Sequence, residues 1–125
     1  MRAIILKYIS IDGDDIGVRI TSCYLSNDEG RLRLISKQLE ESTLKIASLL
    51  ESEGFHVIFR AADGVVAKTN AHCNFEEMFL RLNSCSTSDI TFSAGVGSSL
   101  MEAYIALMKS KSNGKNQLSK LDGFK

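Results

Sequence analysis

The hydrophobic pattern divides the chain into strands and helices of different burial. Residues 3–11 (AIILKYISI) are β-branched and apolar at neighbouring positions, the pattern of a central strand buried on both sides. Between about 28 and 53, Leu32, Ile35, Leu39, Ile46 and Leu49 or Leu50 recur at helical spacing. Ser26 and Glu29 offer a capping box for that helix, and Gly54 is placed to end it. Residues 55–60 (FHVIFR) and 65–69 (VVAKT) are two strands too close for a crossover, so they predict a hairpin turning at Asp63-Gly64. Asn74 and Glu77 open a second helix that should bury Phe75, Met78, Phe79 and Leu82. Residues 89–96 (DITFSAGV) read as a strand. Ser99 and Glu102 open a third helix, expected to bury Ala103, Tyr104, Leu107 and Met108 and to stop at Gly114. Residues 116–121 can add an edge strand.

The resulting order is β-α-β-β-α-β-α with an optional last strand. A hairpin inside such a chain gives a mostly antiparallel sheet with helices packed on one face, an α+β fold close to the ferredoxin-like palm. Residues 1–125 are expected to form a single domain, with only the tail, 119–125, able to fray. A phosphoacceptor receiver also clusters acids after its first strand and carries a late lysine, but it needs parallel crossovers that the short link between residues 60 and 65 forbids.

Composition narrows the function. Lys plus Arg equals Asp plus Glu at 15 each, which argues against a broadly basic nucleic-acid surface. The three cysteines, Cys23, Cys73 and Cys85, cannot all pair within one chain and lack zinc-site spacing. They read as structural thiols in a reducing cytoplasm. The apolar run Ala3–Leu6 is too short for a signal peptide or a membrane span, so no direct membrane insertion is expected.

Two acidic segments carry the candidate chemistry. ISIDGDDIG (9–17) sets Asp12, Asp14 and Asp15 at the end of the first strand, and FRAADGVVAK (59–68) sets Asp63 at the hairpin. Asp and Gly are common turn residues, and Asp-Gly is itself a hairpin signal, so each site alone has an ordinary explanation. Together they do not. Two carboxylates about 4 Å apart at an effective dielectric near 20 repel by roughly 4 kcal/mol, a cost that a divalent cation carried on a nucleotide phosphate would turn into binding. Gly13 would let a ligand approach the backbone, and the amides of Gly13-Asp14-Asp15-Ile16-Gly17 could wrap a phosphate. Lys109, Lys111 and Lys115 in MKSKSNGKNQL (108–118) suit a helix C-terminus and are equally suited to neutralise a triphosphate. Gly95 and Gly97 in TFSAGVGSS mark a strand-to-helix junction, where close packing is a sufficient reason for them.

These segments resemble the nucleotide-cyclase and polymerase-palm superfamily that contains the GGDEF diguanylate cyclases, and within it the stand-alone minimal CRISPR polymerase domain. The D-x-D pattern is matched by Asp12-Gly13-Asp14, and the G-G-[DE]-[DE] hairpin falls on Ala61-Ala62-Asp63-Gly64. The S-x-G-V strand is matched by Ser93-Ala94-Gly95-Val96, and the closing A-K-x-x-G-R-N motif falls on Ser110-Lys111-Ser112-Asn113-Gly114-Lys115-Asn116. Two departures stand out: both hairpin glycines are alanines, and Gly64 replaces an acid, leaving Asp14 or Asp15 to supply the missing carboxylate.

The resemblance implies catalytic Asp12 and Asp63 holding two divalent ions, Mg²⁺ (or Mn²⁺), helped by the Gly13 carbonyl, for a two-metal mechanism. It implies nucleotide binding by Gly13, Asp14, Asp15, Ile16, Lys111 and Lys115. The implied activity joins nucleoside triphosphates, ATP favoured, into a cyclic di- or oligonucleotide signal in anti-phage defence. The protein would act as a homodimer, with a separate, possibly membrane-associated effector sensing the product. The rival expectation is a degenerate palm that binds nucleotide as a sensor or scaffold.

Overall fold

The computed structural model describes residues 5–121. Nine elements follow in order: β1 (Lys7–Gly13), α1 (Ile16–Leu25), α2 (Glu29–Ser52), β2 (His56–Arg60), β3 (Gly64–Thr69), α3 (Phe75–Asn83), β4 (Phe92–Gly97), α4 (Leu100–Ser112) and β5 (Leu118–Lys120). The strands form one sheet in the order β2-β3-β1-β4-β5. All neighbours are antiparallel except β4 and β5, which run parallel. The architecture is the α+β palm anticipated above, with β1 at its centre. The strand expected from residue 3 begins at Lys7; residues 3 and 4, like 122–125 of the tail, lie outside the described residues, while 118–120 are in β5.

Strand alternation splits the sheet into two faces. Ile9, Ile11, Val65, Ala67, Ala94 and Val96 line one face and join Ile35, Leu39, Ile46 and Leu50 of α2 and Phe75, Met78, Phe79 and Leu82 of α3 in a single core. Tyr8, Ser10 and Asp12 point to the other face, as do their cross-strand partners Gly97, Gly95 and Ser93. That second face carries α4. Helices therefore cover both sides of the sheet, which corrects the expectation of one covered face.

The reason lies in β4. A side chain at Gly95 would come within 2.1 Å of the Leu107 amide nitrogen, and one at Gly97 within 2.4 Å of the Glu102 Cβ. With the helix this close, only a face of small residues can meet the strand. Ala103, Ala106 and Ser110 take that position together with Leu107 and Glu102. Tyr104 and Met108, expected to be buried, are instead 57% and 39% exposed.

Two other local differences have clear causes. The helix α1 was not anticipated: Ile16, Ile20 and Cys23 pack inward at helical spacing, but Gly17, Val18, Ile20 and Thr21 are weak helix formers. Its N-cap, Asp15, sits at φ 59° and forms no side-chain cap bond, so no capping signature precedes it. Ser26 does not cap α2, because its hydroxyl closes α1 by donating to the Ser22 carbonyl (2.8 Å). Asn27 then turns the chain at φ 53°, and Asp28 caps α2 by accepting from the Arg31 amide at 3.0 Å. The caps Asn74 and Ser99 are as expected, each accepting from the amide three residues on.

Candidate active site

The C-terminal end of β1, the start of β3 and the residues after α4 meet at one edge of the sheet. Asp12 lies opposite Gly64 on β3 and Ser93 on β4. The Gly13 amide donates to the Asp63 carbonyl at 2.8 Å, fastening the hairpin turn to the end of β1. Asp63 is thereby brought beside Asp12, and its charge adds to the forces acting on the Asp12 carboxyl. Burial, the Lys111 ammonium and Asp63 are the main influences there, in that order, and the balance raises the Asp12 pKa above the usual carboxylate value.

Gly64 has a steric reason for lacking a carboxylate. A Cβ at that position would lie 2.6 Å from the Ile11 carbonyl oxygen and 3.3 Å from a carboxylate oxygen of Asp12. The close approach of β3 to β1 leaves no room for the acid that the family hairpin carries.

Asp14 behaves differently from its neighbours. It is 3% exposed and accepts four hydrogen bonds: from the Thr91 hydroxyl (2.6 Å), the Ser93 hydroxyl (2.7 Å), the Lys111 ammonium (2.7 Å) and the Asn116 amide (3.0 Å). Its own amide donates to the Thr91 carbonyl at 2.9 Å. Burial works against ionisation of Asp14, but the bonds from Lys111, Thr91 and Ser93 outweigh it and hold the pKa below the usual value. This carboxylate anchors the interior of the site and does not face the solvent.

Lys111 reaches back from the last turn of α4. Besides Asp14, its ammonium donates to the Gly13 carbonyl at 2.9 Å and the Asp12 carbonyl at 3.3 Å, and pairs with the Asp12 carboxylate at 3.2 Å. Lys115, on the surface, pairs with Asp15, and this pairing raises its pKa. Of the four non-glycine residues with left-handed backbone among those described, Asp15, Lys115 and Asn116 all lie here. Such conformations tend to gather where a ligand is clamped. In front of the site, α1 begins at Ile16 with no side chain capping its amides, and a Cβ at Gly17 would meet nothing within 4 Å. Open space at a helix N-terminus suits a phosphate.

The donor set can be tested against a divalent metal. Among the described residues there is no cluster of three or more carboxylate, imidazole or thiolate side chains able to hold one. Two carboxylates and a main-chain carbonyl nonetheless suit Mg²⁺, which commonly takes one or two carboxylates and completes its shell with water and substrate phosphate. The ammonium of Lys111 already rests on the Gly13 carbonyl and the Asp12 carboxylate, so these oxygens are arranged around a cation. They fit the metal.

Sequence reasoning missed Thr91, Ser93 and the Asn116 amide as the partners that fix Asp14. Ser93 was legible as part of S-x-G-V, but nothing along the chain shows that it lies across from Asp12. A separate cavity of about 340 Å³ lies between α1, α2 and the hairpin, with Tyr24, Ser36, Glu40, Arg60 and Ala62 in its lining.

A sequence profile of the minimal CRISPR polymerase domain matches residues 8–121. The chain belongs to the minimal CRISPR polymerase domain family. None of the curated proteins matches the sequence. Among solved structures, the GGDEF domain of PA1120 from Pseudomonas aeruginosa is similar at 12% identity and a TM-score of 0.67, over 95% of this chain and 83% of that one. The Csm1–Csm4 cassette in complex with cA3 is similar at 15% identity and a TM-score of 0.67, over 90% of this chain and 20% of that one. The GGDEF domain of DgcB from Caulobacter crescentus in complex with c-di-GMP is similar at 15% identity and a TM-score of 0.60, over 92% of this chain and 77% of that one. At these identities the neighbours establish the palm fold. Family and fold together support a nucleotide cyclase- or polymerase-like function for this minimal CRISPR polymerase domain. Among its described residues no helix is long and apolar enough to cross a membrane.

Proposed function

We propose that this minimal CRISPR polymerase domain is a metal-dependent nucleotidyltransferase that joins nucleoside triphosphates, ATP favoured, into a cyclic di- or oligonucleotide signal. One observation carries the reading. The Asp12 carboxylate and the Gly13 carbonyl stand together beside Asp63, with a lysine ammonium on them and the uncapped start of α1 in front. Asp12, Asp63 and the Gly13 carbonyl would hold two Mg²⁺ or Mn²⁺ ions. When bound, the metal supplies activation of the attacking ribose hydroxyl and charge neutralisation at the pyrophosphate.

The rest is done by the chain. The amides at the start of α1, around Asp15 and Ile16, hold phosphate oxygens. Lys115 exchanges Asp15 for the triphosphate, and Lys111 neutralises charge from below while Asp14 fixes its position. The cavity between α1, α2 and the hairpin is large enough for a base and lies next to Ala62 of the hairpin turn. Two structural neighbours were solved with cA3 and with c-di-GMP, which is in keeping with a cyclic product here. Forming a cyclic dinucleotide requires two nucleotides to face each other, so the enzyme works as a homodimer. Acting as one domain over residues 1–125 in a reducing cytoplasm, it would supply a separate, membrane-associated effector in anti-phage defence.

Incubation of the purified protein with all four triphosphates and Mg²⁺, followed by mass spectrometry, tests this reading. Pyrophosphate and a cyclic product are expected, and both should be lost in Asp12→Asn and in Asp63→Asn with the fold intact. Full activity in either variant refutes the metal assignment. A second reading, a palm that binds nucleotide without turning it over, is favoured by the steric exclusion of a carboxylate at Gly64. It predicts metal-dependent ATP binding with no pyrophosphate released.

A further inference from the structure

Over Leu100–Met108 the helix α4 carries apolar side chains on its outer face as well as on the face that meets the sheet. Its inner face meets β4 through Ala103, Ala106, Leu107 and Ser110. Its outer face consists of Leu100, Met101, Tyr104, Ile105 and Met108, exposed by 55%, 58%, 57%, 40% and 39%. No charged residue interrupts this face between Leu100 and Met108, since Glu102 is buried and Lys109 lies at its margin. The outer face of α2 is the contrast within the same chain: Arg31, Arg33, Lys37, Glu41 and Lys45 are all exposed there. A helix that is hydrophobic on every side is normally a covered helix.

We propose that the outer face of α4 is a two-fold contact between two copies of this chain, with the helices antiparallel and Tyr104 and Ile105 at the symmetry axis. An isologous contact brings a patch against itself, which an uncharged apolar stripe tolerates and a charged one does not. In this register Met101 meets Met108 of the second copy, and Lys109 falls beside the N-terminal end of the opposite helix at Leu100. The stretch of the contact from Met101 to Met108 carries no exposed charged side chain. At about 200 Å² for a large side chain, full burial of the five exposed fractions gives at most roughly 500 Å² per copy and about 1,000 Å² for the pair, the lower bound for a specific interface.

This contact is independent of the catalytic pairing proposed above. Lys111, at the C-terminal end of α4, marks the position of the site. Antiparallel pairing therefore sends the two sites to opposite ends of a 13-residue helix pair, about 20 Å long. The α4 contact accordingly needs no nucleotide and leaves the catalytic edge open.

The test is the mass in solution without nucleotide, by light scattering or sedimentation over a concentration series. The full chain is expected at twice the mass of one copy. The double variant Met101→Lys, Ile105→Glu is expected at half that mass with an unchanged circular dichroism spectrum, both positions being on the outer face. Leu80→Glu, an equally drastic change at an exposed site on α3, should remain dimeric. As a second readout, Ile105→Cys should form a disulfide-linked dimer on mild oxidation. A monomeric wild type overturns the proposal, whether or not another protein covers the face. So does a dimer that forms only with nucleotide, one that survives the double variant, or one that Ile105→Cys does not link. Because mass is read without substrate, a failure of nucleotide synthesis leaves this result unaffected, and the reverse also holds.

Discussion

Asp14→Asn separates an anchoring role for this carboxylate from a direct one. The native carboxylate accepts from two hydroxyls, one ammonium and one amide, and is 3% exposed. Asparagine offers one acceptor oxygen and a donor NH₂, so at least one strong donor must face another donor. Breaking a buried ion pair typically costs about 3–5 kcal/mol. Here Lys111 keeps the Asp12 carboxylate and two main-chain carbonyls, and the Thr91 and Ser93 hydroxyls can rotate, which reduces the expected loss to about 2–4 kcal/mol. Against a total of about 5–15 kcal/mol, this lowers Tm by roughly 10 °C.

The pH dependence carries a definite sign. The folded-state pKa of Asp14 is depressed, so its contribution is present above the unfolded value near 3.9 and lost as pH falls through the lower folded value. The gap between wild type and variant should close only below about pH 4. Urea denaturation at neutral and acid pH measures both quantities. A loss under about 1 kcal/mol at pH 7, or a gap that persists at acid pH, refutes the reasoning. A cycle with Lys111→Met adds a check: the double variant should cost less than the sum of the singles, and strict additivity would mean the two groups are uncoupled.

Other outcomes follow from the same geometry. Gly64→Asp restores the family acid but drives a Cβ into the Ile11 carbonyl at 2.6 Å, so it should cost about 1–3 kcal/mol and fail to raise activity; a more active, equally stable variant would show that β3 can move away from β1. Gly95→Ala places a methyl 2.1 Å from the Leu107 amide and 2.3 Å from the Ala103 carbonyl, and should lift α4 off the sheet, read as loss of a cooperative melting transition. Asp12→Asn should be more stable than wild type at neutral pH. The raised Asp12 pKa means its contribution is full below about pH 3.9 and lost as pH rises through the folded value. The gain should stay under about 1 kcal/mol, because a carboxylate 37% exposed is screened by water. Thermal melts from pH 3 to 8 would record the variant overtaking wild type as pH rises. Equal stability throughout would remove the electrostatic strain assigned to Asp12.

Much of the molecule was settled by residue order. The central strand, the α2 stripe of Ile35, Leu39, Ile46 and Leu50, the β2–β3 hairpin (its turn at residues 61–63, with Gly64 already in β3) and the caps Asn74 and Ser99 all arise from interactions within a few residues, which period and capping patterns record directly. The pairing of β2 with β3 could be drawn from topology because the three residues 61–63 permit no crossover, whereas the pairing of β3 with β1 that brings Asp63 to Asp12 is made in the folded sheet. Tertiary structure decided the rest. α1 has weak local propensity and is held by Ile16, Ile20 and Cys23 against the core, so only packing reveals it. Which side of α4 is buried depends on how closely β4 lets it approach, and that is set by two glycines on a different element. The three aspartates of DGDD look alike along the chain. Donors 77 to 102 residues away turn one of them into a buried anchor, while Asp12 remains at the open edge, because a carboxylate's role depends on what surrounds it in space.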